Sequence, residues 1–163
     1  MKAIVIGAGR GSRLEHLTEE VPKTLVPVLG RPMLDQILEA LAHAGFERKD
    51  VIFVCGYRSE VLRERYPELT FVENRDWEKN NILLSLLFAR EHMHEGFVST
   101  YADIVYTPDI AKRVRESEHA VALGCDTDWR RRYRGRTNHP ETDAEKMLAE
   151  GSRVTRLSRR IES

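Results

Sequence analysis

The turn Gly7-Ala8-Gly9-Arg10-Gly11-Ser12-Arg13 is the part of this sequence best suited to chemistry. Its glycines let backbone N–H groups approach a polyphosphate closely. Arg13, with Arg10, supplies cations that neutralise phosphate oxygens. The spacing does not match G-x-x-x-x-G-K-S/T, which excludes a Walker-type loop. It also fails the dinucleotide fingerprint G-x-G-x-x-G, whose third glycine would fall at Ser12. Taken alone, the turn is equally well explained as a tight strand-to-helix connection.

The elements that must position this turn follow from the apolar pattern. Ala3 to Ile6, Val51 to Val54, Phe97 to Tyr101 and Ala120 to Leu123 are strand-length apolar runs without alternation. Such runs suit strands buried on both faces of a parallel sheet. Thr70 to Val72 reads as a further short strand. Between the strands, Met33, Leu34, Ile37, Leu38 and Leu41 recur at helical spacing and end near Gly45, and Ile82, Leu83, Leu86 and Leu87 form a second apolar face. A short helix is expected over Ser59 to Tyr66. Thr107-Pro108 reads as an N-cap followed by proline at the first helical position, with the helix running to about Glu116. A long polar loop is expected from Asp126 to Thr142, then a hairpin pairing Glu145–Ala149 with Val154–Leu157. This alternation predicts an α/β fold with a mostly parallel sheet, in which ligands bind beyond the carboxyl ends of the strands. Asp103 lies just past such an end and is a hard oxygen ligand suited to Mg²⁺.

Composition narrows the partners. Lys plus Arg number 26, equal to Asp plus Glu, so no global field draws the 163-residue chain to nucleic acid or an anionic membrane. The run Arg130-Arg131-Arg132-Tyr133-Arg134-Gly135-Arg136 could meet phosphates locally, but no RNA-binding motif accompanies it. The first apolar run meets glycine at once, too early for a signal peptide or membrane span. The two cysteines, Cys55 and Cys125, read as buried small hydrophobes rather than a disulfide, and a reducing cytoplasm is expected. His92 and His94 are two apart and face different sides of a helix, so they are no metal pair.

After the glycine turn come Leu17-Thr18, Pro22-Lys23-Thr24-Leu25 and Gly30-Arg31-Pro32-Met33-Leu34. This succession resembles the nucleotidyltransferase superfamily that activates sugar phosphates and related phosphoesters, whose signature is G-x-G-x-R, L-T, P-K-x-L and G-x-P-x-L. The resemblance implies a three-layer α/β/α, Rossmann-like nucleotidyltransferase (GT-A-like) fold. It also implies a loop wrapped around a nucleoside triphosphate, with Gly9, Gly11, Arg13 and Lys23 on the phosphates and Asp103 on Mg²⁺. Fixed cations suit the charge that develops as the α-phosphorus is attacked in line. Gly7, Ala8, Arg10, Ser12, Gly56 and Tyr57 complete the implied nucleotide site.

Asn80-Asn81-Ile82, Ser85-Leu86 and the block Asp126-Thr127-Asp128-Trp129, Tyr133, Gly135-Arg136, His139-Pro140, Ala144-Glu145-Lys146 are narrower signals. Together they resemble bacterial phosphocholine and 2-aminoethylphosphonate cytidylyltransferases. That implies CTP as donor and a small phosphorylated or phosphonate acceptor. It puts Asn81 and Ser85 near the base or acceptor, where capping is the alternative role. Trp129 and Tyr133 would offer ring faces to an amine head group, or else pin the loop to the core. Asp128 would add charge, and Lys146 would meet the acceptor phosphate or stand exposed on a strand. Residues 1–163 are expected to form one nucleotidyltransferase domain lacking its C-terminal completion, able to bind nucleotide but slow to turn over alone. Another donor or acceptor (a sugar 1-phosphate, a molybdopterin) and a non-catalytic nucleotide-binding module remain alternatives. The oligomeric state stays open.

Overall fold

The structure is a computed structural model that describes residues 1–136 and 140–161. Its chain falls into two compact units, Met1–Gly124 and Cys125–Ser163.

The first unit is built on a four-stranded, all-parallel sheet. In chain order its strands are β1 (Lys2–Ile6), β4 (Val51–Cys55), β5 (Thr70–Glu73) and β6 (Phe97–Tyr101). Two-residue strands β2 (Pro27–Val28) and β3 (Arg31–Pro32) form a tiny hairpin that the hydrophobic pattern did not reveal. Leu29 and Gly30 both have positive φ there, which is the turn chemistry that a two-residue hairpin demands. Across the sheet the order is β5-β4-β1-β6. The chain therefore builds outward from β1 on one side, then crosses to add β6 on the other. The gap above β1 and β6 is where the strand order reverses, the usual ligand crevice of open α/β sheets.

One sheet face carries the main core. Ala3 and Val5 of β1 and Val51, Phe53 and Cys55 of β4 pack against Leu34, Ile37, Leu38 and Leu41 of α1 (Met33–His43). Leu62 of α2 (Ser59–Arg65) and Ala111 of α4 (Pro108–Arg115) join them. Opposite, Ile4, Ile6, Ile52 and Val54 meet Leu86 of α3 (Ile82–Leu87), Ala89 and Met93. This second layer is thin. Of the apolar face expected on α3, only Leu86 packs inward, while Ile82, Leu83 and Leu87 are 47%, 60% and 43% exposed. A helix of six residues presents too little length to bury a full stripe.

Other expectations need correcting. Ala120–Leu123 forms no strand, and Val121 is 78% exposed. An apolar run becomes a strand only where a neighbour pairs with its backbone, and among the described residues none does. β6 is one of the two edge strands, and of its residues only Val98 is buried. Cys55 is buried, but Cys125 is exposed.

In the second unit, β7 (Lys146–Glu150) and β8 (Arg153–Ser158) form the expected antiparallel hairpin, with an irregular register at Leu148/Ala149. The preceding loop is less open than expected, since Trp129–Tyr133 winds into a one-turn helix, α5. Thr137, Asn138 and His139 lie outside the described residues. No described helix is long and apolar enough to cross a membrane.

The α1–α2 packing carries one polar contact with a pH consequence. The Tyr66 hydroxyl donates to Asp35 Oδ1 at 2.6 Å, with Arg65 3.6 Å from the same carboxylate. Burial, followed by the bond to Asp35, raises the Tyr66 pKa well above its ordinary 10.0. A phenol whose folded pKa is raised holds its proton where the unfolded chain loses it. Its stabilisation is thus complete below about pH 10 and is lost as pH rises from there through the folded pKa. Urea denaturation between pH 8 and 11 is expected to show a steeper alkaline decline for the native chain than for Tyr66→Phe. Parallel declines would remove Tyr66 as the cause.

Candidate active site

All four strands of the large sheet point their carboxyl ends at one rim, and the predicted phosphate loop leaves from the centre of it. Gly7 N–H donates to Val54 O (3.0 Å), Ala102 N–H to Ile6 O (2.9 Å) and Tyr57 N–H to Ala8 O (2.9 Å). These bonds extend the ladders past the strand ends, so the loop's root is tied into the sheet. Beyond it, Gly11 adopts φ +72°, the left-handed region that favours glycine, and leads into two 3₁₀ turns over Ser12–Thr18 separated by a kink at Glu15 (φ +49°). A Cβ on Gly11 would stand 2.8–2.9 Å from side-chain carbons of Lys23. Glycine is therefore needed twice over, for the backbone and for the lysine laid across it. The fully buried Thr18 closes the loop, its hydroxyl within 3.3 Å of both Gly11 O and Glu15 O.

Lys23 and Asp103 meet. Lys23 Nζ lies 2.7 Å from Asp103 Oδ2, with the two side chains 35% and 41% exposed. Lys23 comes from a 3₁₀ turn, Lys23–Leu25, and Asp103 lies two residues beyond the end of β6, so the contact sits past the carboxyl end of β6, beside the point where the strand order reverses. Arg13 is exposed on the Ser12–Thr18 segment, and no ion pair engages it among the described residues. Arg10 stacks its guanidinium 5.7 Å from the Tyr57 ring centre. Tyr57 also donates its hydroxyl to Glu19 O at 2.7 Å, which ties the strand-end residue to the chain leading into Lys23.

No group of three or more His, Cys, Asp or Glu residues is placed to hold a metal among the described residues. Asp103 is a single carboxylate. That suits Mg²⁺, which is commonly held by one or two carboxylates while substrate phosphates and water fill the remaining positions.

Asn81 and Ser85 sit at the start of α3. Asn81 Oδ1 accepts the N–H of Leu84 (3.0 Å), a helix cap. Ser85 is buried, and its hydroxyl bonds to Asn74, Asn80 and Asn81 O. Sequence reasoning missed Asn74 and Trp77. Trp77 packs edge-on against Tyr57, ring centres 5.6 Å apart. The available signal was a lone tryptophan in the charged stretch Arg75–Lys79 between a strand and a helix.

In the second unit, Trp129 and Tyr133 are one turn apart on α5 and pack edge to face at 5.5 Å. Their faces already carry the protein's own cations. Arg130 lies 5.4 Å from the Trp129 ring centre, Lys146 5.9 Å from it, and Arg136 4.5 Å from that of Tyr133. Lys146 Nζ also donates to Ile161 O at 2.9 Å. Asp128 pairs with Arg131 at 2.6 Å. A hydrogen bond from Arg132 holds the Asp126 carboxyl below its usual range.

A parallel α/β sheet with a glycine-rich loop at its strand-order reversal, and a lysine and an aspartate facing across that point, defines a nucleotide-handling class of protein. Comparison with known proteins gives the family. Residues 3–153 match the MobA-like NTP transferase domain, and the chain belongs to that family. It is 28% identical to the CTP:phosphoglutamine cytidylyltransferase of Campylobacter jejuni over 98% of this chain and 66% of that protein. It is 46% identical to the 2-aminoethylphosphonate cytidylyltransferase of Lancefieldella rimae over 58% of this chain and 39% of that protein. Among solved structures, the CTP:phosphocholine cytidylyltransferase of Streptococcus pneumoniae superposes with a TM-score of 0.55 at 31% identity, covering 66% of this chain and 49% of that one. The chain thus spans two thirds or less of the length of these relatives.

Proposed function

We propose that this chain carries the nucleotide-binding and catalytic core of a Mg²⁺-dependent cytidylyltransferase. It would transfer CMP from CTP to a small phosphorylated or phosphonate acceptor and release pyrophosphate. The observation that carries this reading is the 2.7 Å approach of Lys23 and Asp103 beside the glycine loop. Cytidylyltransferases among the relatives support the choice of base and acceptor.

The chemistry asks little of the protein beyond placement and charge. An acceptor oxygen attacks the α-phosphorus, and the bond from that phosphorus to the oxygen bridging to the β-phosphorus breaks. Pyrophosphate leaves with the electron pair. The attacking oxygen is already anionic at neutral pH, so no side chain has to remove a proton. Backbone N–H groups of residues 8–13 and the Arg13 guanidinium hold the phosphates. Lys23 would give up its contact with Asp103 for the phosphate oxygens, and the freed Asp103 carboxylate would be the residue to hold Mg²⁺. Bound there, Mg²⁺ would supply charge neutralisation at the reacting phosphate. Trp129, Tyr133, Asp128 and Lys146 are proposed to recognise the acceptor. The arginines and the lysine now lying against the two rings mark where a cationic head group would gain cation–π attraction.

Pyrophosphate release tests this with CTP, UTP, dTTP, GTP and ATP, each offered phosphocholine, 2-aminoethylphosphonate or glucose 1-phosphate. CTP with an amine-bearing acceptor is expected to lead. A preference for UTP with glucose 1-phosphate would move the assignment toward a sugar-1-phosphate uridylyltransferase. Absence of release with every pair, despite binding of a triphosphate, would favour a binding module.

A further inference from the structure

Between β5 and α3 the chain makes a loop, Arg75–Lys79, in which the N–H groups of Lys79 and Asn80 donate to Asp76 O (2.9 and 3.1 Å) and which one buried side chain ties to the sheet. Asn74 is fully buried. Its amide nitrogen donates to Asn80 Oδ1 (3.0 Å) and Ser85 Oγ (2.9 Å). Its amide oxygen accepts from Asp76 N–H (3.0 Å) and Asn80 Nδ2 (2.9 Å). Asn74 and Asn80 thus form a closed, two-way amide pair across the loop's mouth, and the Asn74 amide uses all of its donors and acceptors. The Asn74 backbone N–H donates to Cys55 O at 2.8 Å, which anchors the pair to the end of β4.

Next after Cys55 is Gly56, and a Cβ there would stand 2.7 Å from both Ala8 O and the Trp77 ring. Trp77 is therefore laid flush on the backbone beside the glycine loop. Trp77, Tyr57 and Arg10 then make one continuous wall along that loop.

We infer that Asn74 and Asn80 are positioning residues, whose amide pair holds Trp77 against Gly56 and Tyr57 so that the wall beside the phosphate loop is preformed for the nucleotide. This rests on the nucleotide-binding reading above. A loop of five residues rich in charge has little apolar burial of its own to fix it. Without the pair it would sample many shapes, and nucleotide binding would have to select one of them, which weakens apparent affinity without altering the chemical step.

Asn80→Ala is the informative variant, because Asn80 is only partly buried and its loss leaves Asn74 bonded to Ser85 and Asp76. In the full chain, KM for CTP is expected to rise about 10-fold while kcat stays within about 2-fold. Trp77→Ala is expected to do the same. The double variant should be no worse than Trp77→Ala alone, since Asn80 acts through Trp77. Additive losses, or an unchanged KM beside a lower melting midpoint, would reduce the pair to a stabilising contact. A second arm needs no nucleotide. With Trp129→Phe, Trp77 is the sole tryptophan, because the sequence has two. Acrylamide quenching of its emission is expected to rise about 2-fold on adding Asn80→Ala, as the ring leaves its packed site. Unchanged quenching would overturn the clamp. Should the native chain bind no triphosphate, the nucleotide reading fails, and the quenching arm still decides whether the amide pair holds Trp77.

Discussion

Asp103→Ala is expected to lower pyrophosphate release from CTP at least 100-fold, with a similar loss for Lys23→Ala. A preorganised charge at a reacting phosphate is worth about 10²–10³ in rate when removed. Neither substitution should disturb the fold. Both side chains are about a third or more exposed, and an exposed ion pair contributes only about 0–1 kcal/mol to stability. The melting midpoints of the two variants should therefore stay within a few degrees of the native chain, roughly what such an energy allows. The two losses should also differ in kind. Raising Mg²⁺ is expected to recover part of the activity of Asp103→Asn, which keeps one oxygen ligand. It should recover none for Lys23→Ala, whose charge is proposed to face the phosphates. Pyrophosphate release measured across a Mg²⁺ series separates these outcomes. Undiminished turnover by Asp103→Ala would end the metal assignment.

Phe53→Ala is expected to have the largest effect on stability, about 3–5 kcal/mol. Phe53 is fully buried in the middle of β4, with β1 on one side and β5 on the other. Its ring lies 5.9 Å from that of Phe71, and its tip reaches Gly7 at the root of the glycine loop. Truncation would remove the ring's transfer energy and leave a cavity that a close-packed sheet cannot collapse. The melting midpoint should fall by roughly 10 °C or more. Leu83→Ala is the matched control. That side chain is 60% exposed, and its loss should cost within about 0.5 kcal/mol. Equal melting of the two variants would mean that this face of the sheet is not the stabilising core.

Much of this protein was legible in its sequence, and the reasons are local. β1 and β4 read correctly because buried parallel strands are unbroken apolar runs. Helix α1 read correctly because eleven residues are enough to show a 3.6-residue period. The glycine turn and Lys23 stand out because each belongs to a motif written in contiguous positions. Errors arose where an element depends on what lies beside it. Ala120–Leu123 has the composition of a strand, but pairing makes a strand, and no described neighbour supplies it. The spacing of α3 predicts a full apolar face, but its six residues bury only a small part of one. Cys125 sits in an apolar run but lies exposed, because run composition does not specify depth.

By itself, the amino-acid order determined the family signature, the parallel α/β plan and the candidate phosphate-contacting residues, since each is written in neighbouring positions. Only the tertiary structure decided that Lys23 and Asp103, far apart in the chain, meet at 2.7 Å. It alone revealed the strand order that reverses between β1 and β6, and the closed amide pair of Asn74 and Asn80 at the base of the loop that carries Trp77. The physical reason is that such contacts join groups whose approach is set by sheet register and packing, and neither is encoded at any single stretch of the chain.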